Sequence, residues 1–224
     1  MSKYDFDQYG EGEFDDKEDL AWSEYDGLMY LRQAKKEVHH YFKFFQELDA
    51  RENPVEAILK LIGWNKDAFF ITEEDFDESL PFEKGEAEDF ECDLAPYTVH
   101  RHPLYMVTTA LYQLIRYYWE KLMMELPAGT LSSAVTWQFA EALREGETSA
   151  ILAVNTLDIG DYTLTVCQLK HGLNALNESL NVVRQLSSIR STRLKHINNA
   201  LFILREIWLC VMQDCRGDQE NDFD

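Results

Sequence analysis

Two heptad seams near the C-terminal end constrain this chain more than any other feature. Leu169, Leu173, Leu176, Leu180 and Val183 step by 4, 3, 4 and 3 residues. Leu194, Ile197, Leu201, Leu204, Trp208, Val211 and Cys215 step by 3, 4, 3, 4, 3 and 4. A spacing that averages about 3.5 residues puts every one of these side chains on one side of a helix, where water must be excluded by a facing apolar stripe. The polar link Ser187 to Thr192 is too short to let the second helix travel elsewhere, so the pair forms an antiparallel helical hairpin.

A hairpin with an unsatisfied apolar face needs further helices, and the rest of the chain supplies them. Pro103 suits the first turn of a helix ending near Leu126, before Pro127-Ala128-Gly129. Leu104, Val107, Leu111, Leu114, Tyr118 and Leu122 form its stripe, and Met106, Tyr112, Ile115 and Trp119 widen it, which predicts a central helix. Thr130 or Ser132 starts the next helix through Val135, Phe139 and Ala142. An interruption is expected at Gly146, with a further turn or two over Ser149 to Leu157 and a break at Gly160.

The first helix is expected from about Asp16 to Ala50, on Leu28, Leu31, Val38, Phe42 and Phe45, with Lys35 at one seam position. Asn53-Pro54 stops it, and Pro54 opens a short helix through Leu61 ended by Gly63. Strand signals are scarce: no sustained alternation and no Asn-Gly or Asp-Gly hairpin. The expected fold is therefore all-α, an up-and-down bundle of four to five long helices. One helical-bundle domain spans 16–216, with an acidic N-terminal tail at 1–15, a long acidic connection at 64–102 inside the domain and an acidic C-terminal tail at 217–224.

The formal charge of −20 is sharply segregated. Met1 to Asp26 holds 10 acidic and 2 basic residues, Asp67 to Asp93 holds 12 and 1, and the stretch from Asp214 holds 5 and 1. Those nets of −8, −11 and −4 leave +3 for everything else, so the helical framework is about neutral. Acidic segments solubilise a protein or attract a basic partner, and they repel phosphate, which makes direct nucleic-acid binding through them an unfavourable reading. Tyr4, Phe6, Tyr9 and Phe14, and Phe76, Phe82 and Phe90, give these segments apolar anchors for a partner or for the bundle.

An acidic start is the reverse of a signal peptide's basic one, and the most apolar segment, Ala200 to Met212, is too short for a bilayer and contains Arg205 and Glu206. Cys92, Cys167, Cys210 and Cys215 form no C-x-x-C pair. A reducing, cytoplasmic setting without membrane contact is the expectation.

Four constellations carry candidate chemistry. Glu37-x-x-His40 has the i, i+3 spacing of carboxylate-histidine metal bundles, which puts both ligands on one helical face. No second such motif exists; Glu120, Glu141, Glu178 and Glu206 are isolated acids. His100-x-His102 before Pro103 pairs two imidazoles that could ligate a metal. Asp5-x-Asp7-x-Tyr9-Gly10, followed by Asp16, imitates part of a calcium loop without its bidentate Glu.

Arg190 and His196, five residues apart at the start of the last helix, resemble the R-x4-6-H signature of HEPN ribonucleases. The resemblance covers seven residues and implies Arg190 and His196 acting on a phosphodiester at a dimer interface. Ser191 stands where that family places Asn, Asp or His. Gly160-Asp161-Tyr162 resembles the turn of a tetratricopeptide repeat but occurs once, without a recurring period.

No P-loop, G-x-G-x-x-G, G-x-S-x-G or H-E-x-x-H is present. The expected function is a non-catalytic helical-bundle protein that mediates protein-protein interaction or regulation through its acidic, aromatic-containing segments. Its partner is a protein, basic where it meets those segments, and the aromatic-rich part of the first helix (Tyr41, Phe42, Phe44, Phe45) points to a homo-oligomer. The alternatives are a metal-binding carboxylate-histidine bundle around Glu37 and His40, with oxidoreductase chemistry, and a HEPN-like ribonuclease using Arg190 and His196. No cofactor is expected beyond the metal ion of the first alternative.

Overall fold

In the computed structural model the described residues are 23–47, 98–127 and 129–221. They form five helices: α1 (Glu24–Glu47), α2 (Pro103–Glu125), α3 (Ser133–Asp158), α4 (Tyr162–Gln185) and α5 (Thr192–Asn221). A 3₁₀ turn, Val99–Arg101, leads into α2. The expected short helix over 54–61, residues 64–97 of the acidic connection and the calcium-like loop lie outside the described residues.

Helices α2 to α5 follow one another through short links, and their starts are capped by chemistry readable in the chain. Ser132 accepts the Val135 N–H, and Asp161 accepts the Leu164 N–H at 2.9 Å. Gly160 turns the chain between α3 and α4 at φ +79°, a conformation that side chains with a Cβ rarely adopt. Helix α3 packs most extensively on α4, α5 lies against both α4 and α2, and α1 lies along α2. Tyr30 of α1 meets His100 at the start of α2, and Phe42 meets Tyr117 further along, so α1 and α2 run in the same direction.

The core sits where the heptad seams meet. All seven seam residues of α5, from Leu194 to Cys215, are buried, and so are Leu169, Leu176, Leu180 and Val183 of α4. Helix α2 is central as its two-sided stripe requires, with Leu104, Met106, Val107, Leu111, Tyr112, Leu114, Ile115, Trp119 and Leu122 buried. Tyr112 and Trp208 meet at 6.1 Å between ring centres, and Trp119 packs on Phe139 at 4.1 Å.

Two expectations for the helices need correction. The first concerns Gly146, which does not interrupt its helix: α3 is continuous from Ser133 to Asp158. A Cβ at Gly146 would lie 2.5 Å from the Tyr112 hydroxyl oxygen, so the missing side chain is a notch that lets the tyrosine in. Gly172 of α4 faces the same region, where a Cβ would lie 3.5 Å from the Gly146 carbonyl and 3.2 Å from the Trp208 ring. Small residues on both helices, including Ser149, Ala153 and Ala175, let the two backbones approach closely.

The second concerns α1, which begins at Glu24, after the non-helical Ser23, rather than near Asp16; the expected end at Ala50 lies outside the described residues. Its buried face is Ala34, Val38, Tyr41 and Phe45: Val38 and Phe45 are buried as expected, and Ala34 and Tyr41 stand where Lys35 and Phe42 were expected. Leu28 and Leu31 are exposed instead: among the described residues α1 packs chiefly along α2 and buries one narrow stripe. Tyr41 and Phe45 are buried, and Phe42 and Phe44 pack half-buried against the core, so those aromatics are largely consumed inside the fold.

Candidate functional site

The end of the bundle formed by the last turns of α2 and the first turns of α5 holds an open cleft of about 530 Å³. Tyr118, Leu122, Glu125 and Leu126 come from α2 and its end; Ile189, Arg190 and Ser191 come from the link; Thr192, Arg193 and His196 come from α5. The heptad seam explains why these groups converge. Leu194 and Ile197 must point inward, which turns Arg193 and His196 outward at the margin of the same seam. The short link then brings Arg190 back over the end of α2.

Arg193 is fixed by Glu125: its Nε donates to one carboxylate oxygen at 2.7 Å, and a second guanidinium N–H reaches the other oxygen. This planar fork spans the mouth of the cleft from α5 to α2. The hydrogen bond to Arg193 holds the Glu125 carboxyl below its ordinary range, and the carboxylate raises the arginine in return. Ser191 Oγ accepts the Arg193 backbone N–H at 3.2 Å and so begins α5.

His196 stacks on Tyr118 with ring centres 4.7 Å apart and planes 16° from parallel. Burial raises the Tyr118 hydroxyl above its ordinary range, so the phenol stays neutral at any physiological pH. Arg190 is exposed and makes no ion pair among the described residues. The cleft therefore combines one uncommitted cation, a second cation bound to a carboxylate, a flat aromatic-imidazole stack, and a floor of Leu122, Leu126 and Ile189.

The structure thus brings Arg190 and His196 to one cleft, and among the described residues the other candidate ligands do not gather into a metal site of three or more. On α1, Glu37 is half-buried and accepts from Gln33 at 3.2 Å, while His40 is exposed. Among the described residues no group of three or more His, Cys, Asp or Glu side chains is placed to hold a metal. Glu120 and Glu178 are exposed; Glu141 pairs with Arg144, and Glu206 with Arg205.

His102 has a structural task, because its Nδ1 accepts the Leu104 N–H at 3.2 Å and caps α2. Burial pulls the His102 imidazole below its ordinary value, against a smaller upward pull from Asp158. The ring of His100 is wedged edge-on against Tyr30 and Tyr105 at 5.9 and 5.0 Å.

Glu125, Arg193 and Tyr118 escaped the sequence reading because their pairing joins residues far apart in the chain. One signal was available. From Arg184 to His196 the chain holds Arg184, Arg190, Arg193 and Lys195 and no acidic residue, in a protein of net charge −20. No described helix is long and apolar enough to cross a membrane. Comparison of the chain with protein-family models, curated proteins and solved structures finds no match.

Proposed function

We propose that the protein is a non-catalytic interaction protein that associates with a second copy through the outer face of α1 and engages a basic protein partner through its acidic, aromatic-bearing segments. The observation that carries this reading is the N-terminal half of α1. Tyr25, Leu28 and Leu31 are 65%, 49% and 42% exposed and lie on one side of the helix. Three large apolar side chains in sequence on one helical face, uncovered by any described residue, favour a helix-mediated contact. The acidic segments add the charge complementarity that a basic partner needs.

Hydrogen exchange of the full chain at low and high protein concentration tests the reading. Amides of residues 24–33 become more protected at high concentration if α1 is an interface. Exchange in α1 that is identical at both concentrations, together with a monomer at both, refutes it.

A second reading, a ribonuclease similar to the HEPN enzymes, is favoured by one observation: Arg190 and His196 line the same cleft. In that reading His196 moves a proton while Arg190 neutralises the phosphodiester. RNA cleavage by the purified chain that falls in both His196→Ala and Arg190→Ala would support it. Cleavage that is absent, or equal in both variants and the wild type, removes it.

A further inference from the structure

We infer that the cleft between the end of α2 and the start of α5 binds a small phosphomonoester carrying a planar ring, a mononucleotide being the probe of that class. The inference concerns reversible binding of a small molecule and rests on neither reading above.

Charge makes the first part of the case. The chain carries −20 overall, yet the stretch from Arg184 to His196 carries four cations and no acid. An anion is repelled by the acidic segments, meets a roughly neutral framework elsewhere, and is attracted to this stretch. Within the cleft Arg193 is already committed to Glu125 in a two-pronged pair, which neutralises both. Arg190 remains, exposed and without an ion pair among the described residues, so the cleft has one net positive charge available before His196 is counted. Ser191 and Thr192 line the cleft beside Arg190 and carry hydroxyls that can donate to a phosphate oxygen. A dianionic monoester can use a guanidinium fork and hydroxyl donors together.

Shape and polarity make the second part. A cleft of about 530 Å³ falls within the range of small-molecule sites, about 300–1,000 Å³, and is far larger than a bare phosphate needs. Leu122, Leu126 and Ile189 give it an apolar floor. Tyr118 and His196, stacked at 4.7 Å, give it a flat wall that a heteroaromatic ring can lie against. A phosphate alone would leave floor and wall in water. A ring alone would leave Arg190 unused. The combination asks for both in one molecule.

The test is calorimetric titration of the full chain at low salt with adenosine monophosphate, adenosine and inorganic phosphate. The expected result is saturable binding of the monophosphate, with adenosine and phosphate each about tenfold weaker or worse. Arg190→Ala is expected to weaken the monophosphate about tenfold and leave adenosine unchanged. Arg190 is exposed and precedes the helix, so this variant keeps the fold, which an unchanged far-UV spectrum confirms. Arg144→Ala, which removes a cation paired with Glu141 elsewhere on the surface, serves as the control and leaves binding unchanged. Adenosine or phosphate binding as tightly as the monophosphate, absence of saturable monophosphate binding, or equal weakening by both arginine variants each overturns the inference.

Discussion

Gly146 and Tyr112 give the sharpest test of how the bundle is packed. Replacing Gly146 with Ala in a helix interior should ordinarily stabilise a protein by about 1 kcal/mol, because the unfolded chain loses freedom. Here the added carbon would sit 2.5 Å from the Tyr112 hydroxyl oxygen, 3.5 Å from the ring carbon that bears it and 3.7 Å from the Ala175 Cβ. Only the first of these is a clash, and Tyr112, 1% exposed, has no space into which to retreat. Overpacking of this kind costs about 1–3 kcal/mol.

In the wild-type background Gly146→Ala is therefore expected to lower stability by about 0–2 kcal/mol, once the helix gain is subtracted from the overpacking cost. Tyr112→Phe removes the clashing atom and leaves only ordinary contacts. The phenol oxygen has no hydrogen-bond partner among the described residues, so its removal alone should be close to neutral. In that background Gly146→Ala should stabilise by up to about 1 kcal/mol.

Urea unfolding of the two single variants and the double variant closes the cycle, with a coupling of about 1–3 kcal/mol. Thermal midpoints should separate by about 2–4 °C per kcal/mol for a chain of this size. An identical effect of Gly146→Ala in both backgrounds, or stabilisation of the wild type, would show that the notch does not exist.

Other consequences follow from the same packing. His102 must be neutral to accept the Leu104 N–H, and its folded pKa lies below the unfolded value of about 6.5. Its contribution is thus fully present above that unfolded value and is lost as pH falls toward the depressed folded one. Wild type should lose more stability between about pH 7 and about pH 5 than His102→Asn, which can cap without titrating; matching urea midpoints at both pH values would contradict this. Trp208→Ala, at the crossing of α5 with α2 and α4, should cost about 3–5 kcal/mol by urea unfolding, and a loss near zero would mean that α5 is not packed as described. Cys167 is exposed and Cys215 fully buried, so a thiol reagent should modify Cys167 in the native protein and Cys215 only on unfolding; equal rates would refute the burial of α5.

Much of this fold is legible in the chain because heptad spacing and helix burial are the same information. Leu194 to Cys215 and Leu104 to Leu122 occupy the core because no other arrangement hides both stripes. Reading Gly146 as a break failed because a glycine's local preference says nothing about a tyrosine 34 residues earlier that needs the space. On α1, Val38 and Phe45 are buried as expected while Leu28 and Leu31 are exposed, because the buried stripe is set by how α2 meets the helix and not by α1 alone. At the cleft, Arg190 and His196 are visible as a pair in sequence, since seven residues of chain hold them together. Glu125 and Tyr118 are not, because only the folding of α2 against α5 brings them there.

Sedimentation velocity of the full chain, beside a variant carrying Tyr25→Ser, Leu28→Ser and Leu31→Ser, tests association through α1. All three side chains are exposed, so the substitutions leave the core intact. The wild type is expected to sediment as a species of at least twice the chain mass of 26.2 kDa, and the variant as the monomer. A wild type that stays monomeric at every concentration, or an oligomer that the three serines leave untouched, would contradict it.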